Sequence, residues 1–283
     1  MSGLFSIKDD FILTDGELDR IRELVYTHTG ISMSQEKRQL IYTRLSRRLR
    51  ALGLSSFNQY ISYIEQGDPS ELQEFTNAVT TNLTAFFRES RHFDHLGTEL
   101  LPSIAQRIKA AGRLRIWSSA CSTGEEAYSA AMVIRENESL LSGVDTKILA
   151  TDLDSNVLAT AKAGVYDRER IETVLPSRVA KFFEQDPSGR SSKIKVSQSL
   201  QDLISFKQLN LTSDWPMKGP FDIIFCRNVI IYFDEPTKKL LFERMAALQR
   251  PGDILYLGHS ETLFRISDRY ELIGNTTYKR VRD

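Results

Sequence analysis

The sequence predicts an α/β protein: a helical domain, then a parallel, doubly wound sheet, with a small antiparallel β-unit inserted in its second half. Three observations predict this. Residues 14–79 show only helical spacing of apolar side chains. From residue 112 onward, apolar runs of strand length alternate with helical patterns, as βαβ units require. Residues 164–205 break that alternation with short period-two runs such as KIKV.

The helical part reads element by element. Thr14 and Glu17 make a capping-box pattern, followed by Leu18, Ile21, Leu24 and Val25 at helical spacing, and Gly30 ends the helix. A second helix spans 36–52. Ile41, Leu45, Leu49 and Leu52 form its apolar stripe, Lys37, Arg44, Arg47 and Arg48 gather on a neighbouring face, and Gly53 stops it. The stretch SSFNQYISYIEQG opens a third helix with a Ser cap, and SELQEFTNAVTT forms a fourth. The basic face is either a solvated surface or a docking surface for an acidic helical partner.

The sheet begins after Gly112. RLRIWSSA reads as a buried strand, CSTGEE as a turn and EEAYSAAMVIREN as a helix; TKILATD is the next strand and SNVLATAKAG the next helix. FDIIFCRN at 221–228 is a further apolar strand, followed by the helix PTKKLLFERMAALQR. Pro251-Gly252 then turns the chain into the strand DILYLGHSE, and TTYKRVR supplies a last strand. Inside 164–205, a Pro-initiated helix near 176–184 and the polar loop DPSGRSS accompany the short strands.

Composition narrows the function classes. The chain has 283 residues, 41% apolar and 26% charged, an ordinary globular composition with room for a real core. Lys+Arg and Asp+Glu both number 37, so nothing global attracts nucleic acid or a membrane surface. Two distant Cys suit reduced thiols in a cytosolic protein rather than a disulfide framework. MSGLFSIKDD carries acid early and no long apolar run. No signal peptide, membrane span or metal site is therefore expected, and the expected location is the cytoplasm.

Ligands of open α/β sheets bind at the carboxyl ends of the strands. Here the first strand ends in SSACSTGEE, with Gly124 alone where a dinucleotide fingerprint needs three glycines. Small residues (Ser118, Ser119, Ala120 and Ser122) still let a ligand lie close to the backbone. The second strand ends in Asp152, whose carboxylate can accept both hydroxyls of a ribose. A ribose without a pyrophosphate suggests an adenosyl group such as S-adenosylmethionine. Alternatively, Asp152 only caps the helix starting near Ser155. Arg227 and Asn228 stand at another strand end, where they are either ligand contacts or ordinary turn residues.

Residues 80–90, TTNLTAFFRES, fit neither an amphipathic helix nor an alternating strand. Together with SACSTGEEAYS, ILATDLD, FDIIFCRNVIIYF and LGHSE, in this order and at these separations, they closely resemble the CheR-type chemotaxis-receptor methyltransferases. The resemblance covers nearly the whole chain. It implies a Rossmann-like S-adenosylmethionine-dependent methyltransferase domain over 112–283, an N-terminal all-helical domain over 1–80, a joining segment 81–111 that contributes to the cofactor site, and a small β-subdomain over 164–205. It also implies methylation of glutamate side chains of bacterial chemoreceptors, with S-adenosylhomocysteine as the other product.

Carried across by position, the resemblance places Asn82, Thr84, Arg88 and Glu125 in the cofactor site, Asp152 on the ribose and Asn210 with Leu211 beside the adenine. Arg227 and Asn228 complete the pocket, and Tyr232 lies near the transferable methyl. Arg88 is expected to clamp the methionine carboxylate or guide the substrate, and Tyr232 to position the acceptor oxygen. Phe86 and Phe87 are read as core packing. Lys37, Arg44, Arg47 and Arg48 become a docking surface for the receptor's cytoplasmic helical domain. In some family members the β-subdomain takes a short receptor C-terminal peptide as an added edge strand. One departure stands out: Ala127 replaces the Pro of the usual GEEPYS, and a small effect is expected because Ala is also a good helix former.

Three other readings compete. A nucleic-acid amino-methyltransferase needs an N-P-P-Y-like turn, whereas this chain has N-V-I-I-Y after the strand. A Cys hydrolase would pair Cys121 with His259, without an evident third residue. An adaptor would hold the cofactor and transfer nothing.

Overall fold

The computed structural model of the chain describes residues 11–185 and 192–281, and it divides into two units, Met1–Thr81 and Asn82–Asp283. The segment MSGLFSIKDD and most of the loop DPSGRSS lie outside the described residues.

Among the described residues the first unit holds four α-helices: α1 (Asp15–Thr29), α2 (Arg38–Leu52), α3 (Phe57–Glu65) and α4 (Pro69–Val79). Local chemistry sets their ends. The Thr14 hydroxyl accepts the Glu17 N–H, and the Thr14 N–H donates to the Glu17 carboxylate at 2.8 Å, closing the capping box. The Ser56 and Asp68 side chains cap α3 and α4 by accepting the N–H of Gln59 and of Glu71. A 3₁₀ turn, Gln35–Lys37, precedes α2, so the α-helix itself starts two residues after the start read from the sequence. Ile21, Val25, Leu45, Leu49, Phe57, Ile61 and Phe75 are completely buried. Such side chains each contribute about 1.5–3 kcal/mol through burial.

One charge sits inside this helical core. Glu71 is buried, and its carboxylate accepts from Arg48 Nε at 3.0 Å and from the Tyr60 hydroxyl at 2.8 Å. A buried carboxylate survives only when paired in this way. Arg44 is also committed within the unit, donating to the carbonyls of Val79 and Thr80 and to the Thr81 hydroxyl. Lys37 and Arg47 are exposed. Two of the four predicted docking cations therefore hold the helices together, and two face solvent.

The second unit opens with α5 (Arg91–His95), a π-helical turn (Leu96–Leu100) and α6 (Leu101–Ala111). Then come β1 (Arg113–Ser118), α7 (Glu125–Glu136), β2 (Asp145–Asp152) and α8 (Ser155–Ala163). Next are β3 (Val165–Asp167), α9 (Pro176–Phe182), β4 (Phe183–Gln185), β5 (Lys193–Val196) and α10 (Gln198–Gln201). The chain finishes with β6 (Ile204–Gln208), β7 (Ile223–Cys226), α11 (Glu235–Ala247), β8 (Ile254–Leu257), β9 (Tyr270–Gly274) and β10 (Thr277–Arg280).

The main sheet has the order β6-β2-β1-β7-β8-β10-β9, and a separate sheet has the order β3-β5-β4. The contacts β6-β2-β1-β7-β8 are all parallel. The expectation of a wholly parallel sheet needs a correction at one edge, because β10 pairs antiparallel with both β8 and β9. Asn275 and Thr276, at φ 43° and 51°, make the two-residue turn between β9 and β10, the positive-φ geometry that matches hairpin twist. β6 was not singled out in the sequence because it is an edge strand in which Phe206 alone is buried.

Residues 82–111 build part of this unit's core. Phe86, Phe93, Leu96, Leu100, Leu101 and Ile108 are buried in it. Phe86 packs edge-on against Tyr166 at 5.1 Å and Phe183 at 5.4 Å. Phe87 packs against Phe93 at 5.4 Å and carries the Arg178 guanidinium over its ring at 4.2 Å. α7 is buried without interruption from Glu125 to Ile134 and lies against β2 and β6. Ala127, on that buried run, is fully enclosed.

Candidate active site

The chain leaves β1 toward β2 on one side and returns to β7 on the other, so the switch point lies between β1 and β7. Ser118, Asp152 and Cys226 end the three strands there, and α7 starts beside them. The turn after β1 is tight. Ser122 holds φ 49° and Gly124 φ 99°, and a Cβ on Gly124 would lie 2.9 Å from Ala161 Cβ. Only glycine meets both demands.

Asp152 organises the end of β2. Its carboxylate accepts the Ser122 N–H at 2.7 Å and the Asp154 N–H at 3.0 Å, and its carbonyl accepts the Leu209 N–H at 2.9 Å. Burial pushes its pKa up to about 6, against the pull of those backbone donors. A carboxylate offers about four lone-pair sites, more than these donors fill. The capping role left open at Asp152 falls instead to Asp154, which accepts from Asn156 and Val157 at the start of α8. Asp154 also accepts from Asn82 Nδ2 at 2.6 Å, and the Asn82 carbonyl accepts from the Ser122 hydroxyl at 2.9 Å.

The Leu209 bond keeps the next residues at this strand end. Asn210 turns the chain there, accepting from Thr212 N–H at 2.9 Å, and Leu211 is buried. On the α7 side, Glu125 is fully buried, accepts from the Thr123 hydroxyl at 2.6 Å and pairs with Arg170 at 3.2 Å. Burial raises its pKa, opposed by those two partners. The Thr84 carbonyl accepts from the same Arg170 at 3.3 Å.

A second network surrounds Arg227. Its guanidinium pairs with Glu126 at 3.0 Å and Glu89 at 3.1 Å, donates to the Arg88 carbonyl and lies 5.5 Å from the Phe93 ring centre. Glu126 also accepts from Ser118 at 2.7 Å; burial raises its pKa while Arg227 and Ser118 oppose the rise. For Glu89 burial also acts upward, but the bonds from His259 and Asn228 and the charge of Arg227 outweigh it and hold the pKa at about 2. Arg227 thus faces protein carboxylates, although its Nε is buried without a partner among the described residues.

Asn228 has φ 58°, and Glu261 fixes it by accepting the N–H groups of Asn228, Ile230 and Gly258 at 2.8, 3.0 and 2.6 Å. Those bonds also anchor the 3₁₀ turn Ile230–Tyr232. Tyr232 is half-buried. Arg88 folds back on its own segment, donating from Nη1 to the Leu83 carbonyl at 2.7 Å. Glu89, Glu126 and Glu261 were not named as site residues from the sequence. Each is an acid inside a quoted motif (FFRES, GEE and LGHSE), but nothing local showed which group it would meet.

Residues 82–279 match the model of the CheR methyltransferase, SAM binding domain, and residues 16–80 match that of the CheR methyltransferase, all-alpha domain. The chain belongs to the CheR methyltransferase family. Curated relatives agree with this. The chain is 44% identical over 273 residues to chemotaxis protein methyltransferase 2 of Pseudomonas aeruginosa, covering 95% of this chain and 94% of that one. It is 42% identical over 261 residues to a probable chemotaxis protein methyltransferase of Rhizobium etli, covering 90% and 96%. With the chemotaxis protein methyltransferase of Escherichia coli it shares 38% identity over 282 residues, covering 99% and 96%.

S-adenosylmethionine is the cofactor of this CheR chain. The buried turn after β1 and the strand-end carboxylate of Asp152 suit an adenosyl group held without a pyrophosphate. The hydrolase reading fails on chemistry. Burial pushes the Cys121 thiol well above its usual range, and His259 Nδ1 lies 2.8 Å from Glu89. No helix among the described residues is long and apolar enough to cross a membrane.

Proposed function

We propose that this CheR protein methylates glutamate side chains on the cytoplasmic helical domain of bacterial chemoreceptors, forming γ-glutamyl methyl esters in the cytoplasm. The observation that carries the reading is the convergence of five separated motifs on one end of the sheet. NLTAFFRES, STGEE, ATDLD, FCRNVIIY and LGHSE meet there through the bonds of Asn82, Ser122, Asp152, Arg227 and Glu261.

Asp152 holds the ribose hydroxyls, and Asn210 with Leu211 flanks the adenine. Asn82, Thr84, Glu125, Arg227 and Asn228 complete the enclosure, Arg227 and Asn228 through the segment they brace. Arg88 clamps the methionine carboxylate, and Tyr232 positions the acceptor oxygen. The bound S-adenosylmethionine supplies a methyl group activated by a sulfonium. The acceptor carboxylate has a reference pKa near 4.3 and needs no general base at neutral pH. Holding the acceptor in line is then the main task of the protein. An anion meeting a sulfonium gives neutral products, so a water-poor site favours transfer.

Exposed Lys37 and Arg47 are the members of the basic helix available to an acidic receptor helix. The small sheet, order β3-β5-β4, leaves β3 and β4 as edges where a receptor C-terminal peptide would add. Methyl-labelled S-adenosylmethionine, incubated with the protein and receptor-containing membranes and then treated with mild base, tests the function. Receptor label released as methanol is expected. Base-stable label, or label on nucleic acid, would sink the reading.

A further inference from the structure

Glu89 has no role in the assignments above, yet its side chain joins three separated motifs. One oxygen accepts from Asn228 Nδ2 at 3.2 Å and lies 2.8 Å from His259 Nδ1. The other accepts the His259 N–H at 3.1 Å and pairs with Arg227 at 3.1 Å. Arg227 is 138 positions away, Asn228 139 and His259 170. A single carboxylate therefore ties the segment before β1 to the ends of β7 and β8.

The backbone at this carboxylate is under strain. Phe87 and Glu89 hold φ 53° and 55°, the left-handed region that side chains with a Cβ rarely adopt. Such conformations persist where surrounding bonds over-determine them. Here the Phe87 N–H donates to Ser129 Oγ at 2.9 Å, the Arg88 N–H donates to the Ala85 carbonyl at 3.3 Å, and the Arg88 carbonyl accepts from Arg227. Arg88 thus stands between two left-handed residues, and Arg227, which braces its carbonyl, is itself held by Glu89 and Glu126.

We propose that Glu89 is a positioning residue: by gathering Arg227, Asn228 and His259 it locks the turn at 87–89, so that Arg88 is presented to the carboxylate end of the bound S-adenosylmethionine. This rests on the reading of Arg88 as a cofactor contact. Glu89→Gln is the informative change. It keeps the volume but turns one acceptor oxygen into an NH₂ group that faces the donors of Arg227 and His259.

Affinity for S-adenosylhomocysteine, measured by calorimetry without receptor, decides the matter. Glu89→Gln is expected to bind about tenfold more weakly than the wild type, and to add no more than about twofold to the loss in an Arg88→Ala background, because residues acting as one unit are not additive. Leu114→Ala, a core change away from the site that also lowers the thermal midpoint, is expected to keep its affinity. An affinity within about twofold of wild type in Glu89→Gln would overturn the inference. So would an undiminished further loss on top of Arg88→Ala, or an equal loss in Leu114→Ala. Since no receptor enters this measurement, failure to label a receptor would count against the substrate reading alone.

Discussion

The carboxylate of Asp152 lies 2.7 Å from the backbone nitrogen of Ser122, so the end of β2 and the strained turn after β1 share one hydrogen bond. Burial raises the Asp152 pKa to about 6. For an acid whose folded pKa is raised, the stability this group contributes is complete below its unfolded value, about 3.9, and is lost as pH rises through about 6. Ligand binding has the opposite sign, because only the ionised group accepts from both ribose hydroxyls. Affinity for S-adenosylhomocysteine should therefore fall by about tenfold between pH 7 and pH 5. In Asp152→Asn it should be weaker at neutral pH and flat with pH; an unchanged slope in that variant would refute the assignment.

Tyr232 sits on the turn that Glu261 anchors through Ile230. If its hydroxyl positions the acceptor, Tyr232→Phe should slow single-turnover transfer by about tenfold while cofactor affinity stays the same. A variant that transfers at the wild-type rate would remove Tyr232 from the mechanism.

The basic helix carries two kinds of Arg. Removing Arg48 strands the buried carboxylate of Glu71, a loss of about 3–5 kcal/mol when a buried pair is broken. Arg48→Ala should lower the thermal midpoint of the helical unit. Arg47 is exposed, so Arg47→Glu should leave that midpoint unchanged and slow receptor association, most strongly at low salt. Equal behaviour of the two variants would remove the distinction.

Gly258 is pressed against the site. A Cβ there would lie 2.5 Å from Asn228 Nδ2 and 2.9 Å from the Asn228 nitrogen. Gly258→Ala should cost about 1–3 kcal/mol of stability by overpacking. It should also weaken S-adenosylhomocysteine binding as Asn228 is displaced. Denaturant unfolding and calorimetry on the same preparation would separate the two effects, and intact binding would show that Asn228 can yield.

The transfer step itself should be nearly independent of pH from about 6.5 to 8.5, since the acceptor is ionised throughout and no general base titrates. Burial brings His92, beside Glu89, down to about 4, so it stays neutral over that range. A bell-shaped rate profile centred near neutrality would point to an acid–base residue in the step.

Local devices were readable without the structure. Thr14 with Glu17 announces the start of α1, Gly30 and Gly53 end their helices in left-handed backbone, and the apolar runs ending at Ser118, Asp152 and Cys226 became parallel neighbours. These follow from spacings of a few residues, where capping, chirality and burial act on adjacent side chains. The antiparallel edge was less visible, because β9 is only five residues long and, of its apolar side chains, Tyr270 alone is buried while Leu272 and Ile273 are exposed.

The sequence by itself determined the family, the α/β class with its helical domain, and the residues at the strand ends. Folding then set the partners that these residues and the basic helix meet. Arg44 and Arg48 were expected at a surface and instead hold helix ends and a buried acid. Arg227 meets Glu89 and Glu126, and Glu261 closes the loop around Asn228. The physical reason is distance along the chain. A charge has no fixed partner or pKa until folding removes its water and brings an opposite charge from a remote segment against it.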